Sequence, residues 1–257
     1  MKKRELAVTL LASLTGIGVA SAASSIVVYQ KMFPRYERPD GGLTAGEFFY
    51  PRIADRLPRS EFKFKVGENR LQGYYYHSGK DRGIAVFSHG IHAGADDYLP
   101  LIEYVVRSGY DVIAYDSTGT YSSEGEGTVG MCQQLIDLEG ALNFVKSTDS
   151  LKDKPLFVIG HSWGGYATAS VLELVPGISA AASLSGMVSG PDMIVEKAKE
   201  YVGGLAYVPE PALSAYQRIL FKSYVDYNSV RGIIPAASPS LLRTGWTMRS
   251  SASISRL

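Results

Sequence analysis

The residues of this chain best suited to covalent chemistry are Gly160-His161-Ser162-Trp163-Gly164-Gly165. They follow an apolar β-type run, Leu156-Phe157-Val158-Ile159, and precede a small-residue helical pattern at Tyr166, Ala167, Ala169, Ser170 and Val171. A serine hydroxyl becomes a usable nucleophile when a sharp strand-to-helix turn lifts it clear of the sheet, and that turn strains the backbone at the serine itself. Gly160 and Gly164 supply the missing Cβ atoms that such a turn requires, and Gly165 lets the following helix approach its neighbours. The spacing G-x-S-x-G in a strand–turn–helix context therefore predicts a nucleophile at Ser162.

Other polar clusters point to less. His89, His92, Asp96 and Asp97 have metal-ligand chemistry, but they fall in a loop after a strand, where Asp96 is suited to cap the helix that begins near Tyr98. No metal and no cofactor is expected. His161 reads as a packed or hydrogen-bonded spacer pointing to the other side of the turn from Ser162, and His77 ends a strand with no partner in view. The one cysteine, Cys132, reads as a small buried hydrophobe near a helix start.

The elements that must position Ser162 follow from length and pattern. With 257 residues, 46% hydrophobic and 20% charged, the chain can bury a full α/β core. A formal charge of +1 and no dense run of Lys and Arg argue against nucleic acid as a partner. Alternating residues around Gly67-Glu68-Asn69-Arg70 predict a hairpin over residues 61–76. Strands at 84–87, 112–115, 156–159 and 178–184 alternate with helices at 98–108 and 131–146, the second burying Leu135, Leu138, Leu142 and Val145. That alternation implies a mostly parallel sheet covered on both faces. Two further helices are predicted, over Pro191–Val202 and Pro211–Tyr224, with Leu213, Tyr216, Leu220 and Tyr224 on one face.

Before the domain, Met1-Lys2-Lys3-Arg4 precedes an uncharged, mostly apolar or small stretch from Leu6 to Gln30. It predicts a signal-anchor or transmembrane segment over residues 1–30, with Tyr29, Lys31 and Arg35 at the membrane interface and the domain outside. Signal cleavage after Ala20-Ser21-Ala22, giving a secreted protein, is the alternative. Residues 31–60, rich in proline and glycine, read as a linker or lead-in.

Ser88-His89-Gly90 after the third strand, Tyr115 to Thr120 after the fourth and Gly160 to Gly165 after the fifth together resemble the α/β-hydrolase fold. The resemblance covers residues 61–186, with 187–228 as the helical cap. Within that fold, Ser122 to Gly127 and the anchored N-terminus resemble bacterial serine esterases and serine aminopeptidase-like hydrolases. The resemblance implies Ser162 as nucleophile toward the carbonyl of a small-molecule or peptide acyl substrate. It also implies an oxyanion held by the backbone N–H groups of Ile91 and Trp163. It further implies an acid and then a histidine after the serine. No histidine follows His161, and Asp192, just beyond the sixth strand, is the acid this chain offers. Residues 229–257 read as an irregular tail replacing the last strands, with a break in the reading frame expected near Gly232. Two functions stand: a serine hydrolase crippled by the missing acid and base, or an inactive relative that binds rather than cleaves or is an incomplete gene product.

Overall fold

In the computed structural model the described residues are 21–40, 48–207 and 209–236. The hairpin forms as predicted: β1 (Arg59–Val66) and β2 (Asn69–Tyr76) pair antiparallel, and Val66 opposite Asn69 leaves Gly67-Glu68 as the turn. Gly67 takes φ +57°, a conformation that glycine adopts without a Cβ clash. Next come β3 (Ile84–Ser88), α2 (Leu99–Arg107), β4 (Asp111–Tyr115), α3 (Gln133–Ser147), β5 (Leu156–His161), α4 (Trp163–Ser170) and β6 (Ile178–Leu184). The strand order is β1-β2-β4-β3-β5-β6. β3 lies parallel to β4 and β5, and β5 parallel to β6, so crossover helices cover the sheet.

Alternation along each strand builds two cores. Ile84, Val86, Ile113 and Tyr115 point toward α3 and α4, while Ala85, Phe87, Val112 and Ala114 point toward α2. Leu135, Leu138, Leu142 and Val145 of α3 are all buried, as their spacing predicts. β6 is the sheet edge among the described residues.

The N-terminal segment departs from expectation. Residues 21–32 are the described part of a helix, α1. Tyr29, expected as an interfacial anchor, is only 1% exposed. Its ring packs on Phe33 and meets Tyr216 edge-on at 5.9 Å. Arg35 is no anchor either: its guanidinium donates to the carbonyls of Tyr121, Ser123 and Gly125. Residues 31–60, expected as a linker or lead-in, contribute to the core where described. Phe33, Ile53 and Leu57 are core residues, and Arg59 opens β1. Among the described residues no helix is long and apolar enough to cross a membrane; residues 1–20 of the expected span lie outside them.

The two helices predicted over residues 191–202 and 211–224 appear as α5 (Gly190–Val202) and α6 (Glu210–Phe221). The buried face of α6 runs through Leu213, Gln217 and Phe221, with Leu220 turned out at 37% exposure. The expected irregular tail begins instead with a helix, α7 (Ser229–Ala236). Ser229 donates its N–H to Val188 and its hydroxyl to the carbonyl of Met187, and Arg231 pairs with Glu173. Gly232, where the frame break is expected, sits inside this helix so close to α4 that a Cβ would run into the Ala169 carbonyl. Residues 237–257 lie outside the described residues.

Candidate active site

β5 delivers the chain to Ser162, which takes φ 54° and ψ −112° before α4 starts at Trp163. This is the mirror image of an extended conformation, which an L side chain occupies only under strain. The surroundings enforce it. Ser162 donates its N–H to the Leu184 carbonyl at 2.8 Å, and its own carbonyl accepts the Tyr166 N–H at 3.0 Å as the first bond of α4. A Cβ at Gly164 would run into the Ser88 carbonyl, and one at Gly160 into the Gly164 carbonyl. The predicted glycines are thus the positions where β3, β5 and α4 meet backbone to backbone. Ser162 is half-buried, and among the described residues no hydrogen bond engages its hydroxyl.

The loop after β3 comes to the serine. A Cβ placed on Gly90 would lie 3.6 Å from Ser162 Cβ and 3.5 Å from His161 Nδ1. His89 fixes this loop from behind. Its Nε2 accepts the Ser117 N–H at 3.0 Å, so its proton sits on Nδ1 and is donated to the Gly90 carbonyl at 2.7 Å. Carbonyl and N–H of one planar peptide point in opposite directions. Holding the Gly90 oxygen toward His89 therefore turns the Ile91 N–H away from it. Burial pushes the imidazole down to about 4, against the pull of the Gly90 carbonyl, so His89 is neutral near pH 7. It is a structural tautomer lock, not a base. Around it Gln134 accepts from Ser117 Oγ and donates to Ser88 Oγ and the His89 carbonyl.

His161, expected as a packed or hydrogen-bonded spacer, is hydrogen-bonded. Tyr98 Oη accepts the Gly90 N–H at 3.1 Å and shares a hydrogen bond with His161 Nδ1 at 2.8 Å. His92 is exposed, with φ +56°, and stacks on Tyr36. His77 lies 3.7 Å from Asp111 at the opposite end of β4. Among the described residues, none of the four histidines is hydrogen-bonded to the Ser162 hydroxyl. Asp192 is exposed in the first turn of α5, where its N–H is capped by Ser189 Oγ at 3.4 Å. Asp96 does not cap α2, contrary to expectation: it is buried and paired with Arg38 and with Arg59, the latter at 2.6 Å. Asp97 instead takes the Gly94 N–H and the Tyr121 hydroxyl.

Sequence reasoning passed over the buried acids that hold these loops. Asp116, at the end of β4, accepts the Ala95 N–H at 2.9 Å and the Tyr74 hydroxyl at 2.8 Å. Burial raises it to about 6 against those hydrogen bonds. Asp137 of α3 accepts from the N–H and hydroxyl of Thr118 and from Gln133, and burial likewise raises it to about 6. Asp137 lies off the predicted face of Leu135, Leu138, Leu142 and Val145, so helical spacing gave no signal of its burial. Cys132 is buried and stays a thiol, pushed up to about 12.

A parallel sheet, a strained serine at the end of β5 and a fixed loop after β3 define the α/β-hydrolase fold. Residues 79–248 match the family Hydrolase_4, described as serine aminopeptidase, S33, and the chain belongs to that family. Its fold is similar to that of the Pyrococcus furiosus esterase Pf2001. One crystal form gives TM-score 0.51 at 21% identity over 71% of this chain and 69% of that one. A second gives 0.51 at 22% over 74% and 72%. The curated protein YfhR of Escherichia coli K12, described as uncharacterized, is 29% identical over 139 residues. That match takes in 50% of this chain and 47% of YfhR, so the chain spans about half the length of the curated relatives it matches.

Proposed function

We propose that this chain is a serine hydrolase of ester, amide or thioester bonds, working through an acyl-enzyme on Ser162, and that its turnover is crippled by the absence of a catalytic acid and histidine. The observation that carries the reading is the strained Ser162 at the head of α4, facing the loop of Gly90 and Ile91. Ser162 Oγ would bond to the carbonyl carbon while the C=O electron pair moves to oxygen, where the Ile91 and Trp163 N–H groups stabilise it. Collapse expels the alkoxide or thiolate, or the amine once solvent has protonated its nitrogen, and water then releases the acid and restores Ser162. The serine proton needs an acceptor in the first step. With none of the four histidines hydrogen-bonded to the Ser162 hydroxyl, that acceptor is solvent, and acylation is slow. Loss of a triad histidine lowers turnover by up to about a million-fold, leaving about 10³–10⁴ over water. Asp192, the acid of this reading, has no histidine to orient.

The same histidine geometry favours a second reading, an inactive relative that retains the site for binding. A fluorophosphonate separates the two. The hydrolase reading expects slow, stoichiometric labelling at Ser162, absent in Ser162→Ala, with weak hydrolysis of activated esters. A folded protein that never labels leaves the binding reading. Robust turnover abolished by Ser162→Ala would mean that a base operates and that the crippled state is wrong.

We also propose that the uncharged run after Lys2-Lys3-Arg4 holds the protein at a membrane with its domain outside. Protease added to intact cells should then digest the domain, and a protected, soluble full-length product would defeat the proposal.

A further inference from the structure

We propose that residues 29–38 are a positioning strap for the oxyanion site, with Tyr36 and Arg38 as its positioning residues; this rests on the hydrolase reading of Ser162. The strap is tied to the connection after β4 by directional bonds. Pro34 bridges to Gly127 and Tyr36 to Thr120. Tyr36 donates its N–H to Gly119 at 2.9 Å and accepts the Tyr121 N–H at 2.8 Å. The Arg35 guanidinium closes on three carbonyls of the same connection.

From that platform the strap reaches the loop carrying the Ile91 N–H at two points. The Tyr36 ring stacks on His92 at 5.2 Å and 20°, with Tyr121 stacked behind at 6.3 Å. His92 directly follows Ile91 and holds a left-handed φ of +56°, a strained conformation for a non-glycine residue that persists only under support from its surroundings. Further along the loop, Arg38 pairs with Asp96, donates to Tyr74 Oη at 3.1 Å and lies 3.9 Å from Asp116, which itself accepts the Ala95 N–H.

The strap also meets the second donor. Tyr29 Oη lies 3.4 Å from the Met131 nitrogen, and the Met131 carbonyl accepts Trp163 Nε1 at 2.7 Å. One short segment thus contacts the supports of both N–H groups. A donor pair stabilises developing charge only when it is held in place beforehand, and a misplacement near 1 Å lowers rate by about a hundredfold. Loops are otherwise the elements that open most readily.

The test uses the full-length chain with Tyr36→Ala, Arg38→Met and the conservative Tyr36→Phe, which keeps the stacking ring. Hydrogen exchange is followed at the amides of Gly90, Gly94, Ala95 and Asp97, all hydrogen-bonded, and in β3 and β5 for comparison. Fluorophosphonate labelling of Ser162 is timed on the same samples. We expect Tyr36→Ala and Arg38→Met to speed exchange in the loop about tenfold and slow labelling about tenfold, with β3 and β5 unchanged and Tyr36→Phe restoring both. Unchanged loop exchange would overturn the strap, as would equal acceleration in loop and strands, or a Tyr36→Phe variant as impaired as Tyr36→Ala. If the unaltered chain does not label at all, the hydrolase reading fails, and loop exchange alone then decides whether the strap holds the loop.

Discussion

Replacing Ser162 by glycine should stabilise this protein while destroying its nucleophile. The serine sits at φ 54°, ψ −112°, in the mirror-extended region that glycine enters freely. Strain of this kind costs about 1–3 kcal/mol. Against its relief stands the greater freedom of glycine in the unfolded chain, about 0.4–1 kcal/mol. The difference leaves a net gain of about 0.5–2 kcal/mol for Ser162→Gly. Ser162→Ala is the control, because it removes the hydroxyl and keeps the Cβ that carries the strain. No hydrogen bond engages that hydroxyl among the described residues, so alanine should stay within about 0.5 kcal/mol of the parent. Urea denaturation reads the result. With a slope of about 2 kcal/mol/M, the midpoint of Ser162→Gly should rise by about 0.3–1 M over that of Ser162→Ala. A glycine variant no more stable than the alanine variant would refute the claim that the turn is strained at the serine.

Three further outcomes follow from the same geometry. Gly164→Ala drives a Cβ into the Ser88 carbonyl, a backbone atom that cannot swing aside, and should lower the urea midpoint by an equivalent of about 1–3 kcal/mol or more while abolishing phosphonate labelling. Arg59→Met removes a guanidinium stacked between Tyr50 and Tyr74 and leaves Asp96 with Arg38 alone, so unfolding free energy should drop by about 3 kcal/mol, measured in the same way. Asp137 is raised to about 6 in the fold, so its contribution is full below the unfolded value of about 4 and is lost as pH rises through 6. The stability of the parent relative to Asp137→Asn should therefore fall by up to about 3 kcal/mol between pH 4 and 7, and a pH-independent difference would contradict the assignment.

How much of this was legible in the sequence depends on how local the signal is. The elbow could be read because its requirement is confined to Gly160, Ser162 and Gly164, and the α3 face because Leu135, Leu138, Leu142 and Val145 repeat at helical spacing. The hairpin could be read because period-2 alternation flanks a short turn. Tyr29 could not, since Met131 and Tyr216, which close over it together with Phe33, are remote in sequence. An apolar stretch next to a basic cluster has the same composition whether it meets lipid or a protein core. α7 was missed because the absence of acids and histidines after Gly232 concerns catalysis, whereas Ser229, Arg231 and Gly232 make its packing contacts. Asp96 was misread because a helix start nearby supplied a local role, while its true partners, Arg38 and Arg59, are remote in sequence.

The buried acids shift in opposite directions at the two ends of the sheet. At the start of β4, Asp111 is held down at about 2 despite its burial, by Lys154 and the Ser78 and Tyr75 groups. There the hydrogen bonds outweigh desolvation, and the carboxylate favours the fold at neutral pH. Across the sheet, near the end of β4 and in the helix facing its loop, Asp116 and Asp137 have the opposite sign, both raised to about 6 because burial outweighs their hydrogen bonds. His89, after β3, is likewise kept from its charged form, near 4. Apolar side chains of similar volume would avoid that desolvation but would leave buried backbone N–H groups without acceptors, at about 1–3 kcal/mol each. What apolar groups cannot do is accept the N–H groups of Ala95, Ser117 and Thr118 at fixed angles. Those N–H groups belong to the loops after β3 and β4, where ligands bind in parallel α/β sheets. The fold therefore accepts the desolvation of these groups at the end of the sheet where they fix the loops after β3 and β4, including the Gly90 carbonyl held by His89.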